Sequence, residues 1–183
     1  MHALRALTWI MLLASGVAVI ASDRPVLQGT VVGGVDGDTA AIRLESGMIR
    51  IRLHAIDAPE SAQPNGRAAK AALSQLIFGK AVEVEPFEQD RYDRLVARIW
   101  LDGLDVNAAM IKSGNAWTYR RYADDPAYCR YEQTARNLGQ GLWRLPPAER
   151  VAPWEWRQRK SRAGNFTDYS LETVAACVAS LGR

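Results

Sequence analysis

The sequence predicts an α+β protein in which five short strands close into a small barrel and helices pack around it. Five segments show apolar residues alternating with polar ones, which is typical of strands with one buried face. A single helical segment interrupts them after the third strand. Because the strands do not alternate one by one with helices, a sheet built from βαβ units is excluded.

The first three strands fall between about residues 26 and 57. The segments VLQGTVV and TAAIRLE are separated by Gly33-Gly34 and by Asp36-Gly37, and Asp-Gly is a strong signal for a hairpin turn. Ser46-Gly47 then leads into MIRIRLHAI, where isoleucine, leucine and alanine alternate with arginine and histidine. The alternation predicts one apolar and one polar face.

The next segments alternate between helix and strand signals. A helix is predicted from Pro64 to Gly79, followed by strands at 81–87 and 95–101. Two more helices are predicted from Asp105 to Gly114 and from Asp125 to Gly139, each with an aspartate cap and a terminal glycine. Five strands interrupted once by a helix fit an OB-fold barrel with three helices.

The character of the chain changes after residue 143. Residues 144–183 begin with an irregular segment rich in proline, tryptophan and arginine, and end in one amphipathic helix marked by Leu171, Val174, Ala175 and Val178. We therefore divide the chain into a barrel domain at 22–143 and a C-terminal tail at 144–183.

Residues 1–21 have the pattern of a secretory signal peptide. An uncharged apolar run spans residues 6–21, and the small residues Val19 and Ala21 suit a cleavage site. This predicts export to a periplasm or to the outside of the cell, without stable membrane association after cleavage. The alternative is an uncleaved membrane anchor, since the run approaches the length of a span.

Bulk composition places few limits on function. The 183 residues are 48% apolar and 23% charged, with a net charge of +3, and the basic bias agrees only weakly with an anionic partner. Export permits a disulfide between Cys129 and Cys177, but the sequence leaves that pairing open. His54, the one histidine after the signal peptide, is more typical of a structural residue than of a catalytic base.

The residues that carry chemistry cluster at predicted strand ends. Asp38 opens the second strand, Asp57 and Glu60 follow the third, and Arg52 and Arg94 lie on the third and fifth. Carboxylate oxygens select Ca²⁺ or Mg²⁺, and guanidinium groups bind phosphate. A carboxylate outside the metal shell can accept a proton from water. The set predicts phosphodiester hydrolysis.

Taken singly, each of these residues also fits a turn, a helix cap or a solvated surface. Period-two alternation places Asp57 on the face opposite Arg52. A bulge or a strand end must intervene before these two side chains can meet. Spacing alone therefore leaves the site undecided.

The ordered pattern VDGDT, IRLHAIDAPE, DRYDRLVARIW and VNAAMIKSGNAW resembles the thermonuclease (staphylococcal nuclease-like) family over roughly residues 28–143. The resemblance implies an OB-fold barrel that cleaves DNA and RNA with one Ca²⁺ ion and leaves 3′-phosphate ends. It implies that Asp38, Asp57 and the backbone carbonyl of Ala58 bind the metal. Arg52 and Arg94 match the family's phosphate-binding arginines.

The same resemblance assigns the remaining site residues. Glu60 matches the proposed general base, Tyr92 matches a substrate-contacting tyrosine, and Tyr122 matches a second one more loosely. Ala58 replaces a family threonine. Asp93 stands where the family often has glycine, so it is expected to pair with the adjacent arginine, to repel phosphate or to strain the turn.

Together these observations predict an exported, monomeric, Ca²⁺-dependent nuclease for single-stranded or frayed DNA and RNA, with low sequence specificity. One alternative is a catalytically silent OB-fold module that only binds nucleic acid. The other is an envelope protein that uses the tail around Trp154 and Trp156 for protein contacts.

Overall fold

The structure is a computed structural model that describes residues 25–158 and 166–183, apart from the side chain of Val35. The predicted signal peptide at residues 1–21 lies outside the described residues. Within the described ranges, every helix is too short or too polar to cross a membrane.

The described residues contain eight strands, five α-helices and three short 3-10 turns. The strands are β1 Leu27–Asp36, β2 Thr39–Leu44, β3 Gly47–Leu53, β4 Ile56–Asp57, β5 Ala81–Gln89, β6 Leu95–Leu101, β7 Leu104–Asp105 and β8 Trp117–Thr118. The helices are α1 Gly66–Ile77, α2 Val106–Lys112, α3 Pro126–Asn137, α4 Pro153–Gln158 and α5 Val174–Ala179. The 3-10 turns are Gly141–Arg144, Pro147–Glu149 and Tyr169–Leu171.

Five of the strands close into a barrel. They run in the order β3-β2-β1-β5-β6, and β3 pairs with β6 in parallel, with Ile51 opposite Leu95 and Leu53 opposite Ala97. Inward side chains such as Ile42, Ile51 and Ile99 are fully buried. The α+β OB-type barrel predicted from the sequence is thereby confirmed, while β4, β7 and β8 add short pairings outside it.

The turn between β1 and β2 packs against α1 and leaves no room for a side chain at Gly37. A Cβ atom there would lie 2.8 Å from the Cβ atoms of both Ala58 and Ala69. Glycine at this position therefore lets the turn approach the segment that follows β4.

Helices α2 and α3 begin at the caps that the sequence predicts. The carboxylate of Asp105 accepts a hydrogen bond from the N–H of Ala108 at 2.9 Å, and that of Asp125 accepts one from Ala127 at 2.7 Å. Helix α1 begins two residues later than expected, after Asn65 in a left-handed conformation with φ 66°. The two aspartate caps satisfy backbone donors that α2 and α3 leave unpaired.

The tail is more ordered than the sequence predicts. Residues 144–158 were expected to be irregular, but they contain a 3-10 turn and helix α4. The rings of Trp143, Trp154 and Tyr169 pack edge-on around the buried Trp117, with ring centroids 4.6–5.9 Å apart. Trp154 and Tyr169 of the tail therefore join Trp117 and Trp143 in a second apolar core.

The expected final helix is shorter than predicted. Leu171, expected on its apolar face, is 89% exposed in a 3-10 turn. The helix begins at Val174 because the hydroxyl of Thr173 caps it by accepting a hydrogen bond from the N–H of Ala176.

A buried ion-pair network joins α3 to β8 and the tail. Glu132 accepts hydrogen bonds from the N–H of Thr118 at 2.7 Å, from Arg120 at 2.8 and 3.0 Å and from Arg136 at 2.6 Å. Arg120 also pairs with Glu172 from the tail. Burial by itself raises the pKa of Glu132, but the two arginines outweigh it and hold that pKa below its ordinary value.

A disulfide connects α3 with α5. Cys129 and Cys177 are bonded, their Cα atoms are 5.9 Å apart, and 48 residues separate them in sequence. The bond answers the question that the sequence left open, and it fastens the end of the tail to the barrel domain.

Removing this disulfide should lower stability substantially. For a loop of this length the loss of chain-entropy restriction corresponds to about 4 kcal/mol. The double variant Cys129→Ala/Cys177→Ala should show that decrease in urea unfolding, and the wild type in reductant should approach it. If reductant leaves the stability of the wild type unchanged although the double variant is less stable than the wild type, the variant's loss comes from packing and not from the covalent bond.

Glu132→Gln should destabilise the fold by about 3 kcal/mol, since it leaves two buried arginines short of a partner. The pKa of Glu132 is lower in the folded than in the unfolded chain, so its stabilising effect is present at neutral pH. That stabilising effect is lost as the pH falls below 4.5, the ordinary pKa of a glutamate side chain. Urea unfolding of the variant and of Glu149→Gln, an exposed control, should show a gap at pH 7 that narrows near about pH 3.

Candidate active site

The turn between β1 and β2 holds Asp38 against the segment that follows β4. One carboxylate oxygen of Asp38, Oδ2, accepts a hydrogen bond from the N–H of Ala58 at 2.7 Å, and Oδ1 accepts one from the hydroxyl of Thr39 at 3.2 Å. Asp36 remains a turn residue, and it accepts a hydrogen bond from Ser61 at 2.6 Å. The glycine between them is what allows this close approach.

Arg52 joins Asp38 to Asp57. Its Nη1 lies 2.7 Å from Asp38 Oδ2, and its Nη2 lies 2.8 Å from Asp57 Oδ1. The side-chain alternation along β3 would have kept Arg52 and Asp57 apart. Strand β3 instead ends at Leu53, and Ala55 takes a left-handed conformation with φ 64°. This break turns Asp57, on β4, to the side of Arg52.

Burial and neighbouring charges shift the pKa values of both Asp57 and Arg52. The side chain of Asp57 is 0% exposed, and burial raises its pKa, against the hydrogen bond from Arg157 and the charge of Arg52. Burial disfavours the charged form of Arg52 as well, but Asp38 and Asp57 outweigh it and raise the pKa of the guanidinium. A buried carboxylate therefore keeps its charge only through guanidinium partners.

Arg157 of helix α4 is the second partner of Asp57. Its Nη2 lies 2.7 Å from Asp57 Oδ2, and its Nη1 lies 3.1 Å from Asp57 Oδ1 and 2.8 Å from Glu60 Oε1. Burial alone would lower the pKa of Arg157, but Asp57 and Glu60 reverse this and raise it. Arg157 opens the basic run RQRKSR at 157–162, which the sequence predicts to be a solvated segment, with non-specific attraction to nucleic acid as the alternative. For Arg157 the prediction of a solvated residue is wrong.

Arg94 lies in the same cleft but outside this network. The Nε atom of Arg94 donates a hydrogen bond to Asp90 Oδ2 at 2.8 Å, and its Nη2 atom lies 2.7 Å from the same oxygen. Asp90 Oδ1 meanwhile accepts hydrogen bonds from the N–H groups of Tyr92 and Arg94. Asp90 thus shapes the turn between β5 and β6 and fixes the guanidinium of Arg94.

Asp93 does not pair with Arg94. It takes a left-handed conformation with φ 60°, and its carboxylate accepts a hydrogen bond from the side chain of Gln89. Of the three expectations for Asp93, pairing with Arg94 is wrong, and a strained turn agrees with the positive φ.

Aromatic side chains form part of the cleft wall. Tyr92 is 58% exposed and lies beside Arg94, whose guanidinium carbon is 5.3 Å from the ring centre. Tyr122 is 45% exposed and packs edge-on against Tyr119, while Trp154 of α4 stacks parallel to Tyr119 at 5.4 Å. Flat, partly exposed rings of this kind suit stacking against bases.

His54 has a packing role beside the cleft. Its ring stacks on Phe87 at 3.8 Å with the planes 5° apart. The backbone N–H of His54 donates to Ala97, and its carbonyl accepts from the side chain of Asn107. These contacts agree with the structural role that the sequence favours.

The cleft has a volume of about 860 Å³ and collects the predicted side chains. Those that line it are Asp38, Arg52, Asp57, Ala58, Glu60, Tyr92, Arg94 and Tyr122. Of these, the first five are linked by direct contacts, through Arg52, Arg157 and the N–H of Ala58. The two tyrosines and Arg94 lie on the same cleft without bonding to them.

Sequence reasoning missed Asp90, Trp154 and Arg157 as residues of the cleft. The segment YRRY at 119–122 is, from its sequence, equally typical of phosphate and base contacts and of a packed surface, and its Tyr119 and Arg121 line the cleft. Asp90 lies in the charged turn EQDRYDR, where an acid four residues before an arginine is a usable signal. Arg157 had no such signal, because its partners are 97 and 100 residues away.

The oxygen donors suit a hard cation. Asp38 and Asp57 both contact Arg52, so their carboxylates face one small region. Among residues 25–158 and 166–183, no group of three or more histidine, cysteine, aspartate or glutamate side chains is placed to hold a metal ion. A cation here would use two carboxylates and complete its shell with carbonyl or water oxygens, as Ca²⁺ and Mg²⁺ accept.

Comparison with known proteins relates the chain to a family of nuclease homologues. Residues 50–145 match the family described as staphylococcal nuclease homologue. An uncharacterized endonuclease of Escherichia coli O157:H7 is 40% identical over 135 residues, which cover 73% of this chain and 87% of that protein. Protein ParB of Escherichia coli is 38% identical over 162 residues, 81% of this chain and 90% of that protein. A micrococcal nuclease of Shigella flexneri is 37% identical over 149 residues, 75% and 84% of the two chains.

Proposed function

The chain belongs to the staphylococcal nuclease homologue family, its relatives include proteins named endonuclease and micrococcal nuclease, and from this premise we propose that it is a Ca²⁺-dependent phosphodiesterase. One observation carries the proposal. Arg52 joins two carboxylates, Asp38 and Asp57, in a cleft that also holds Glu60 and a second arginine, Arg94. The residues proposed to bind phosphate, to hold the cation and to accept a proton therefore line one cavity.

The residues of the chain divide the work by their chemistry. Arg52 and Arg94 bind the phosphodiester and stabilise the negative charge that grows on it in the transition state. Glu60, about one-third exposed, orients the attacking water and accepts its proton. Asp38, Asp57 and the carbonyl of Ala58 would hold the cation, which when bound polarises a phosphoryl oxygen. The proposed products carry 3′-phosphate ends.

The substrate we propose is single-stranded or frayed DNA and RNA. Tyr92 and Tyr122 offer exposed rings for bases, and such stacking tolerates any sequence. The polar contacts of the cleft are those that bind phosphate, and they carry no base information. Low sequence specificity follows, and cleavage within a chain is as accessible as cleavage at an end.

Export and a monomeric state complete the proposal. The disulfide between Cys129 and Cys177 suits an oxidising compartment, in agreement with the predicted signal peptide at residues 1–21. We therefore place the protein in a periplasm or outside the cell, without stable membrane association.

A catalytically silent nucleic-acid-binding module is the second candidate. The observation that favours it is the complete pairing of Asp57, whose two oxygens both contact arginines. Product formation with and without a calcium chelator separates the candidates, because a silent module binds DNA but never shortens it.

Asp38→Ala should abolish hydrolysis of single-stranded DNA. The variant loses one of two carboxylates for the cation, and we expect the rate to fall by at least about 100-fold. Glu45→Ala, an exposed acid in the turn after β2, is the matched control and should retain wild-type activity. Chelation of Ca²⁺ should reduce the wild type to the level of the variant. Wild-type rates for Asp38→Ala would contradict the metal assignment.

Asp90→Asn should reduce kcat/KM by about 10-fold, because Arg94 loses the charge that holds it in place. Asparagine keeps the acceptor Oδ1, so the backbone hydrogen bonds of the turn remain. Asp93→Asn makes the same change of charge in that turn without touching Arg94, and should stay within about twofold of the wild type. Equal losses in both variants would indicate a general effect of charge instead.

A further inference from the structure

We propose that Arg157 is a third active-site arginine. Its guanidinium holds Asp57 and Glu60 before the cation binds, and then changes partners to bind the substrate phosphate. This inference rests on the proposed function, since it needs both a cation and a phosphodiester in the cleft. It assigns an active-site role to a residue outside positions 50–145, the part of the chain that matches the family.

The contacts of Arg157 are specific. Two parallel bonds reach the two oxygens of Asp57, at 2.7 and 3.1 Å, and a third reaches Glu60 at 2.8 Å. A surface arginine without a role rarely orders itself against a fully buried carboxylate, because surface pairs repay little of the entropy lost. The fork geometry is the one that guanidinium groups use for both carboxylates and phosphates.

The segment that carries Arg157 is fixed to the cleft wall. Trp154, one helical turn earlier, stacks on Tyr119 and packs edge-on against Trp117 and Tyr169. The carbonyl of Val151 accepts a hydrogen bond from the side chain of Gln63, near Glu60, at 2.5 Å. Helix α4 thus positions Arg157 at the site, while its long side chain keeps freedom to change partners.

Arg157 and a cation compete for Asp57. Oδ1 of Asp57 already contacts Arg52 and Arg157, and Oδ2 contacts Arg157. A metal ion can bind this carboxylate only after Arg157 releases at least one of its oxygens. Without a cation, Arg157 supplies positive charge that balances the buried carboxylate.

Release leaves Arg157 beside the substrate. Its side chain is 40% exposed, against 13% for Arg52, and it lines the same cleft as Arg94. A cation bound to Asp57 would neutralise the carboxylate and weaken its pairing with Arg157. The released guanidinium then faces a cleft that holds a phosphodiester. Binding of the anion by this third arginine follows from the chemistry of the group.

The test compares Arg157→Gln with Arg157→Lys and with Arg144→Gln, an exposed tail arginine bonded to a backbone carbonyl away from the cleft. Calorimetric titration with Ca²⁺ in the absence of DNA should show about 10-fold tighter binding for Arg157→Gln, since the competitor is gone. Arg144→Gln should match the wild type. Arg157→Lys retains charge without the fork and should fall between them.

Kinetics at saturating Ca²⁺ provide the second measurement. Arg157→Gln should raise KM for single-stranded DNA by about 10-fold with kcat little changed, as expected when binding energy common to ground and transition states is lost. Unchanged or weaker Ca²⁺ binding in this variant would overturn the exchange at Asp57. Tighter Ca²⁺ binding with unchanged KM would overturn the phosphate role.

The same variants separate this inference from the proposed function. If the wild type binds DNA with Ca²⁺ but never cleaves it, the proposed function fails, and the dissociation constant of a fluorescently labelled oligonucleotide replaces KM. Melting temperatures without Ca²⁺ identify loss of folding, and Arg157→Lys keeps the positive charge beside Asp57 if the glutamine variant unfolds.

Discussion

The site depends on the pairing of the buried Asp57 carboxylate with two arginines, Arg52 and Arg157. An ionised aspartate with no solvent contact is costly unless guanidinium groups surround it, and two arginines supply them here. Arg52 comes from the barrel and Arg157 from the tail, so one carboxylate fixes the relative positions of β3, β4 and α4. Charge balance at Asp57 is therefore one of the constraints that hold the C-terminal segment against the barrel, beside the aromatic core and the disulfide.

Local signals predicted much of the fold. The aspartate caps of α2 and α3 and the Asp-Gly turn before Asp38 act over a few residues, and their chemistry is readable in sequence. A closed or nearly closed barrel was inferred from the number and order of the strands, but the parallel pairing of β3 with β6 that closes it was not. The sequence showed that a break between Arg52 and Asp57 is needed for the two to meet, but it did not place that break at Ala55, because alanine is not a residue type that favours a left-handed conformation.

Contacts between distant segments were the part that sequence reasoning could not reach. Arg157 meets Asp57 across 100 residues, and a run of arginine and lysine reads as solvated surface when its partners are unknown. The aromatic core of the tail was missed for the same reason, because Trp117 and Trp154 lack any shared periodicity. The family resemblance indicated where the carboxylates converge, but it ended before α4 and was silent about Arg157.

The packing of the tail decides how its contribution can be isolated. A truncation after residue 144 would remove Arg157, but it would also uncover Trp117 and Trp143 and break the disulfide to Cys129. Loss of activity in such a protein would report loss of folding as much as loss of a guanidinium. A change confined to the end of the Arg157 side chain leaves the aromatic core and the disulfide in place. The tail therefore reaches the carboxylates of the cleft through Arg157, while residues such as Trp154 hold that side chain in position.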